Sequence, residues 1–275
     1  MNSMDIIKPV LSLGGLGVTF GVLLGYASKK FAVEVDPRVT NIRECLPGAN
    51  CGACGYAGCD AYAQAVVDGA APPNSCAVGG APVAERIGEI LGLKVEAVEK
   101  KVAFVKCNGN CNVTKEKYKY YGVQNCRDAA AIPGGGPKTC SYGCLGLGDC
   151  VKVCEFGALR VENGVAVVDE EKCTSCGRCV NVCPKGLINI VPVAKKVRVQ
   201  CNSLDPGKEV RQNCSVGCIG CRMCERACQF GAIDFANNLA KVNYEKCTQC
   251  QACVQKCPTK AIKLIVSESD QKVAV

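Results

Sequence analysis

The distribution of charged and apolar residues marks the N-terminus as a segment of its own. Residues 9–28 carry no charge, and Lys29 and Lys30 follow immediately. An uncharged run of this length predicts one membrane-spanning helix, and flanking lysines are typical of its cytoplasmic end. A cleaved secretory signal is the alternative, but Asp5 precedes the run and a good small-x-small cleavage site is missing. We therefore predict a transmembrane anchor over residues 1–30.

The next part of the chain is rich in alanine and shows helical periodicity. Residues Ala57–Val67 predict a helix, and Val83–Val105 carry apolar residues at mixed helical spacing that predicts one or two more. We expect these helices to pack together. The sequence thus predicts a small membrane-proximal domain over residues 31–105.

The rest of the chain repeats itself at a period of 74 residues. The stretch FGALRVENGVAVVDEEKC at 156–173 matches FGAIDFANNLAKVNYEKC at 230–247. Such self-similarity predicts one supersecondary unit copied in tandem, and the expected fold class is α+β. We assign the two ferredoxin-like copies to residues 140–192 and 214–266. Connectors precede them at residues 106–139 and 193–213, and residues 267–275 form a tail.

Composition adds a strong chemical constraint, because 26 of the 275 residues are cysteine and none is histidine. A disulfide scaffold, all-cysteine zinc sites and iron–sulfur clusters are the competing interpretations. The absence of histidine excludes Rieske centres, mixed cysteine–histidine zinc sites and histidine-ligated haem. If the first helix is an anchor, the cysteines lie on the reducing cytoplasmic side, which argues against disulfides.

The formal charge of +8 is a poor guide to partners. It counts every thiol as neutral, whereas a cubane held by four thiolates carries roughly −2 when oxidised. With about five or six clusters the loaded protein would be near neutral or acidic. We therefore predict no nucleic-acid partner.

The predicted membrane-proximal domain contains a C-x2-C-x4-C-x16-C motif. Glycines between its first three cysteines allow the backbone to approach a cluster closely. A four-cysteine zinc knuckle is the alternative, and Cys45 lies outside the spacing. The stretch is similar to the iron–sulfur domain beside the membrane anchor in the B subunit of the Rnf complex, and some corrinoid proteins carry a similar domain. The expected ligands are Cys51, Cys54, Cys59 and Cys76.

Each repeat resembles the bacterial two-cluster ferredoxin. In that pattern, C-x2-C-x2-C-x3-C-P supplies three ligands to one cluster and its fourth cysteine to the other. Zinc ribbons usually lack the third cysteine and the proline. The resemblance implies three [4Fe–4S] ligand sets. They are Cys154 with Cys173, Cys176 and Cys179; Cys218, Cys221 and Cys224 with Cys257; and Cys228 with Cys247, Cys250 and Cys253.

The first repeat departs from this pattern at one position. Leu147 stands where the second repeat has Cys221. One hypothesis is that Cys140 substitutes, and the rival is a ligand from the preceding segment. The first hypothesis gives the set Cys140, Cys144, Cys150 and Cys183.

The remaining cysteines allow one more site. Cys107, Cys111 and Cys126 could hold a further cluster, and its fourth thiol would come from Cys140, Cys201 or Cys214. The alternatives are free buried thiols, which behave as small apolar residues, and a redox-active disulfide between Cys201 and Cys214. The sequence leaves these interpretations open.

The whole chain resembles the B subunit of the Rnf complex, an ion-translocating ferredoxin:NAD+ oxidoreductase. The resemblance covers the anchor, the CGACGYAGC stretch and both repeats, and its extended form is similar to that of anaerobic bacteria. It implies a membrane-anchored electron-transfer subunit with about five or six [4Fe–4S] clusters on the cytoplasmic side. Reduced ferredoxin would be the donor, and other membrane and NAD-binding subunits the partners.

We see no catalytic motif in the sequence, and no NAD or flavin site is expected on this chain. An iron–sulfur activator of a corrinoid protein is the alternative function, because it would share the small domain. A structural zinc protein is a further alternative.

Overall fold

The computed structural model describes residues 3–31, 36–95 and 99–265, so the predicted tail at 267–275 lies outside the described residues. Its first element is the 28-residue helix α1 (Ser3–Lys30). The large apolar side chains described along α1, such as Leu13 and Leu24, are exposed. Within the described residues, no helix has both the length and the apolar character needed to cross a membrane. The predicted transmembrane anchor is therefore not confirmed.

Three helices form the next part: α2 (Pro37–Cys45), α3 (Cys59–Val67) and α4 (Gly80–Leu91). Their core contains Ile42, Tyr62 and Ile87, which are almost completely buried. The helix predicted from Ala57 begins two residues later, at Cys59, where the side-chain oxygen of Asn50 accepts the Cys59 N–H. This contact satisfies one of the amide groups that a helix start leaves free.

The helical prediction for the following segment is wrong at its C-terminal end. Helix α4 stops at Gly92, whose φ of 68° lies in the left-handed region that glycine adopts at helix ends. Residues Lys101–Val105 then form a strand, β1, in which four successive side chains are buried. Their apolar run is short and β-branched, which suits a buried strand as well as a helix.

The repeats fold into two similar mixed helix/strand units. The first unit contains β1, α5 (Cys126–Ala131), α6 (Asp149–Lys152), β2 (Leu159–Glu162), β3 (Val165–Val168), α7 (Arg178–Val182) and β4 (Ile188–Pro192). The second contains β5 (Val197–Val199), α8 (Gly207–Asn213), α9 (Met223–Ala227), β6 (Ile233–Ala236), β7 (Leu239–Val242), α10 (Ala252–Lys256) and β8 (Ile262–Leu264).

Each unit combines one tight hairpin with one pair of distant strands. The hairpins β2–β3 and β6–β7 are antiparallel, and so are the pairs β1–β4 and β5–β8. The first hairpin turns at Asn163 and Gly164, whose positive φ angles of 47° and 75° are the signature of a two-residue type I′ turn. Strands β1 and β5 lie before the predicted starts of the ferredoxin-like domains, so each unit recruits a strand from the segment that precedes it.

A buried ion pair joins the two units. Arg198 of β5 is 1% exposed, and its Nη1 lies 2.5 Å from Oε1 of Glu170 in the first unit. Its guanidinium also stacks on the ring of Phe104 in β1, 5.2 Å from the centroid. Because burying an arginine is unfavourable without such partners, the contact fixes how the units pack.

Candidate iron–sulfur sites

The start of α3 gathers one set of thiols. Gly79 N–H donates to the Cys76 sulfur at 3.4 Å, and burial, together with the neighbouring thiols of the same set, raises the pKa of Cys76. Tyr62 packs behind them, and its buried hydroxyl donates to Pro72 O. The cavity at this point is lined by Cys51, Cys54, Cys59 and Cys76. We call these four residues the membrane-proximal set.

The α7 loop of the first unit gathers a second set. Burial raises the pKa of Cys179 to about 11, with further contributions from the thiols around it. Backbone amides point at two of the sulfurs: Ala103 N–H donates to Cys173 and Ala158 N–H to Cys154, at 3.3 and 3.4 Å. Amide donors of this kind stabilise a thiolate, and they tune cluster potentials. The four neighbours are Cys154, Cys173, Cys176 and Cys179.

The set beside Leu147 is completed by Cys126 and not by Cys140. Cys126 begins α5, and a carboxylate holds the backbone there, because the N–H groups of Cys126 and Arg127 both donate to Asp149 Oδ2. Burial raises the pKa of Cys150 in this set to about 12. The thiols that line the cavity are Cys126, Cys144, Cys150 and Cys183. The structure thus places Cys126, from the preceding segment, at this cavity and places Cys140 elsewhere; that Cys126 is the cluster ligand stays a prediction.

The second unit gathers two sets. Burial raises the pKa of Cys224 to about 12 and raises that of Cys253, and in both cases neighbouring thiols add to the effect. Two hydrogen bonds reach sulfur here: Ala232 N–H donates to Cys228 at 3.3 Å, and the Gln249 amide donates to Cys247 at 3.1 Å. The sets are Cys218, Cys221, Cys224 and Cys257, and Cys228, Cys247, Cys250 and Cys253.

A sixth set lies between the two units. Cys107 accepts the N–H groups of Gly109 and Cys144, both at 3.4 Å. Burial raises the pKa of Cys140, and Cys107 and Cys214 raise it further, while burial raises that of Cys201 to about 11. The thiols that line this cavity are Cys107, Cys140, Cys201 and Cys214. We call them the bridging set, because each unit contributes two of them.

Two cysteines fall outside the six sets. Cys45 ends α2, and Cys111 is exposed beside the β2–β3 turn, where its N–H donates to Asn163 O. The expected further site at Cys107, Cys111 and Cys126 is therefore not assembled as a group, since these three residues lie in different places. All 26 cysteines are free thiols, including Cys201 and Cys214.

The residues of the six sets suit iron–sulfur clusters by their chemistry. In four of the six sets the four thiols line one small cavity, and several sulfurs of the sets accept backbone amides. Thiolates are the soft ligands that hold [4Fe–4S] clusters. Across residues 3–31, 36–95 and 99–265, no group of three or more cysteine, aspartate or glutamate side chains is placed closely enough to hold a single metal ion.

Comparison with protein families matches three parts of the chain that contain these cysteines. An Fe-S cluster family model matches residues 46–78, a 4Fe-4S dicluster domain matches residues 217–261, and a 4Fe-4S binding domain matches residues 166–189. These matches confirm ferredoxin-type 4Fe-4S domains in a mixed helix/strand fold.

Comparison with curated proteins covers nearly the whole chain. The chain is 48% identical to the B subunit of the Na(+)-translocating ferredoxin:NAD(+) oxidoreductase complex of Acetobacterium woodii. The match extends over 258 residues, which are 94% of this chain and 77% of the relative. The chain belongs to the B-subunit family of these Rnf complexes. The B subunit of the ion-translocating oxidoreductase complex of Methanosarcina acetivorans is also 48% identical, over 95% of this chain and 99% of its own length. The B subunit of the proton-translocating ferredoxin:NAD(+) oxidoreductase complex of Clostridium ljungdahlii is 46% identical, over 98% of this chain and 95% of its own length.

Membership in the Rnf B-subunit family confirms the resemblance found in the sequence, and it makes the chain an iron–sulfur electron-transfer subunit. It also favours this role over a corrinoid activator. The bridging set is what sequence reasoning missed in this Rnf-type chain. A signal was present, since Cys107 follows β1 in KVAFVKCN and Cys201 follows β5 in KVRVQCN. These two cysteines are 94 residues apart, so an alignment of the repeats at their constant period of 74 residues does not match them to each other.

Proposed function

We propose that this chain takes electrons from reduced ferredoxin and relays them to the other subunits of its Rnf complex through six [4Fe–4S] clusters. The observation that carries the proposal is the bridging set, which connects the thiol groups of the two units. A bound cluster supplies one-electron oxidation and reduction. NAD chemistry belongs to another subunit.

The thiol sets on the two sides of the boundary between the units are neighbours in space. Cys144 of the Cys126 set donates its N–H to Cys107 of the bridging set. At the other side, Cys201 of the bridging set interacts electrostatically with Cys218 in the second unit. The bridging set therefore has a neighbouring thiol set in each unit. This arrangement supports a relay more strongly than a set of independent structural sites.

The buried surroundings explain how the chain would keep its ligands in place. Most thiols are held in the core of a unit, where Leu187 and Ile188 pack on them in the first unit and Ile233 and Ile262 in the second. Such packing excludes water from the sulfurs. Solvent exposure and hydrogen bonds to the sulfurs are two of the features that set the potential of a cluster.

We further infer that α1 attaches the chain to the membrane as a single-pass anchor, with the thiol sets on the cytoplasmic side. The uncharged run, the exposed leucines of α1 and the lysines at its end support this inference. Extraction of native membranes tests it. We expect the full chain to need detergent, and a variant without residues 1–30 to appear in the wash at high salt.

Iron and acid-labile sulfide per chain, measured after anaerobic purification, test the cluster count. Six sets predict about 24 of each, whereas five predict about 20. The purified chain should then be reduced by ferredoxin in a stopped-flow experiment. A colourless protein that contains zinc would overturn the proposal.

A further inference from the structure

The two units differ by one large insertion, which follows the first cysteine of the bridging set. Cys107 and Cys140 are 33 residues apart in the first unit, whereas the equivalent Cys201 and Cys214 are 13 residues apart in the second. The additional residues include the stretch KEKYKYYGVQ from 115 to 124, which we call the tyrosine–lysine loop. It ends just before Cys126, so the insertion that completes a thiol set also builds a new surface.

The tyrosine–lysine loop exposes large apolar side chains. Tyr121 is 88% exposed, Val123 64% and Tyr118 37%. The loop is nevertheless held in shape, because the Tyr120 hydroxyl donates to Val123 O and the Lys152 ammonium donates to Gln124 O. An exposed apolar group that is fixed in place and surrounded by polar residues is typical of an interaction site, and tyrosine is enriched where binding energy concentrates.

The rim of this surface is basic. Lys115, Lys117 and Lys119 are all exposed, against a single acidic residue in the loop, Glu116. Lys185 adds to them from the first unit and interacts electrostatically with Lys117. The Lys117 ammonium donates to Gly134 O and the Lys185 ammonium donates to Ser141 O, and the Ser141 hydroxyl itself donates to Gly134 O.

The same surface lies beside two thiol sets. Lys185 lies two residues after Cys183 of the Cys126 set, and its ammonium donates to the carbonyl of Ser141, the residue after Cys140 of the bridging set. Cys126 itself follows the loop after a single residue. An electron carrier bound at this surface would therefore be close to the bridging set and to the Cys126 set.

We propose that the tyrosine–lysine loop docks the soluble electron donor, a small ferredoxin-type protein with an acidic face. This inference rests on the proposed function and names the binding surface for its donor. A cluster held by four thiolates carries roughly −2 when oxidised and one further negative charge when reduced, so the charge of a small reduced carrier complements the lysine rim. A small apolar centre within a charged rim also suits the weak, short-lived complexes of electron transfer.

The test uses the full, cluster-loaded chain and a reduced acidic two-cluster ferredoxin as the probe. Stopped-flow absorbance gives the second-order rate constant of reduction at about 20 mM and about 300 mM salt. We expect Lys115→Glu/Lys119→Glu to lower the rate constant about tenfold or more at low salt and to abolish its decrease with salt, because steering depends on charge. Tyr121→Ser should lower the rate constant at both salt concentrations.

A matched control reverses two exposed lysines elsewhere. Lys94→Glu/Lys100→Glu changes the net charge equally but lies before β1, at the end of that strand opposite Cys107. The rate constant for the control should stay within about twofold of the parent. Full bleaching of every variant by dithionite shows that the sites are loaded.

Equal rates for parent and loop variants would overturn the docking site and leave the relay intact. Failure of ferredoxin to reduce even the parent, when dithionite does so, would overturn the proposed donor as well.

Discussion

The assignment of Cys126 to the set beside Leu147 makes a prediction that separates two ways of connecting the cysteines. In the structure Cys126 shares a cavity with Cys144, while Cys107 belongs to the bridging set. Cys126→Ala/Cys144→Ala should therefore remove one cluster of six, about a sixth of the [4Fe–4S] iron. Cys126→Ala/Cys107→Ala should remove two, about a third. The other grouping, which is one of the interpretations that the sequence left open, puts Cys126 with Cys107 and Cys144 with Cys140, and it predicts the reverse.

A rescue experiment strengthens the same prediction. Leu147 lies between Gly146 and Gly148, both with positive φ, and Cys221 lies between Gly220 and Arg222 in the same conformation. The backbone at Leu147 thus already has the shape that presents a cysteine in the second unit. Leu147→Cys should restore the lost cluster to the Cys126→Ala variant.

Mössbauer spectroscopy of anaerobically purified protein is the assay, because it counts iron in intact [4Fe–4S] clusters. Cys111→Ala is the control, since Cys111 is exposed and outside all six sets, and it should keep the full iron content. If Cys126→Ala/Cys107→Ala lost only one cluster, or if Leu147→Cys failed to restore any, our assignment of Cys126 would be refuted.

Three further predictions follow from single side chains. Asp149→Ala should lower cluster occupancy in iron analysis, because the carboxylate that positions Cys126 is lost and two backbone amides lose their acceptor, at a cost of about 1–3 kcal/mol. Arg198→Met should lower the midpoint of thermal unfolding, because the buried Glu170 loses one cationic partner and keeps Lys196; the cost should be smaller than the about 3–5 kcal/mol of leaving a buried charge unpaired. An unchanged midpoint would contradict the packing role. Burial raises the pKa of Tyr62 to about 12 from 10.0, so the unfolded chain loses this proton first and stability should fall between pH 10 and 12. The free energy of unfolding of Tyr62→Phe, measured from denaturation curves between pH 10 and 12, should lack the part of this fall that Tyr62 causes.

The bridging set shows what duplication can add to a two-cluster unit. Each unit supplies a cysteine just after its first strand, Cys107 or Cys201, and another before its first thiol run, Cys140 or Cys214. Neither pair could surround a cluster alone. When the units pack through the Arg198 contact, the two pairs face the same cavity. A ligand set that needs both copies also makes their association depend on the cofactor.

The amino-acid sequence by itself determined the chemistry and the repeated unit. Fixed spacings such as C-x2-C-x2-C identify ligand loops, because three thiols that lie this close together in the chain must meet wherever the loop folds. The same spacing identified the family, which the comparisons confirm. The hairpin at Asn163 is likewise local, since two residues suffice to define its turn.

Only the tertiary structure decided which distant thiols complete the sets. Cys126 and Cys150 line the same cavity although a loop separates them in the sequence. Cys107 and Cys214 line another cavity although they come from different units. Sequence separation says little about such pairs, because the entropy of closing a loop grows only slowly with its length. In the first unit, an insertion of about twenty residues therefore separates Cys140 from Cys107 in the sequence. The packing of strands β1 and β5 nevertheless keeps both thiols at the same cavity.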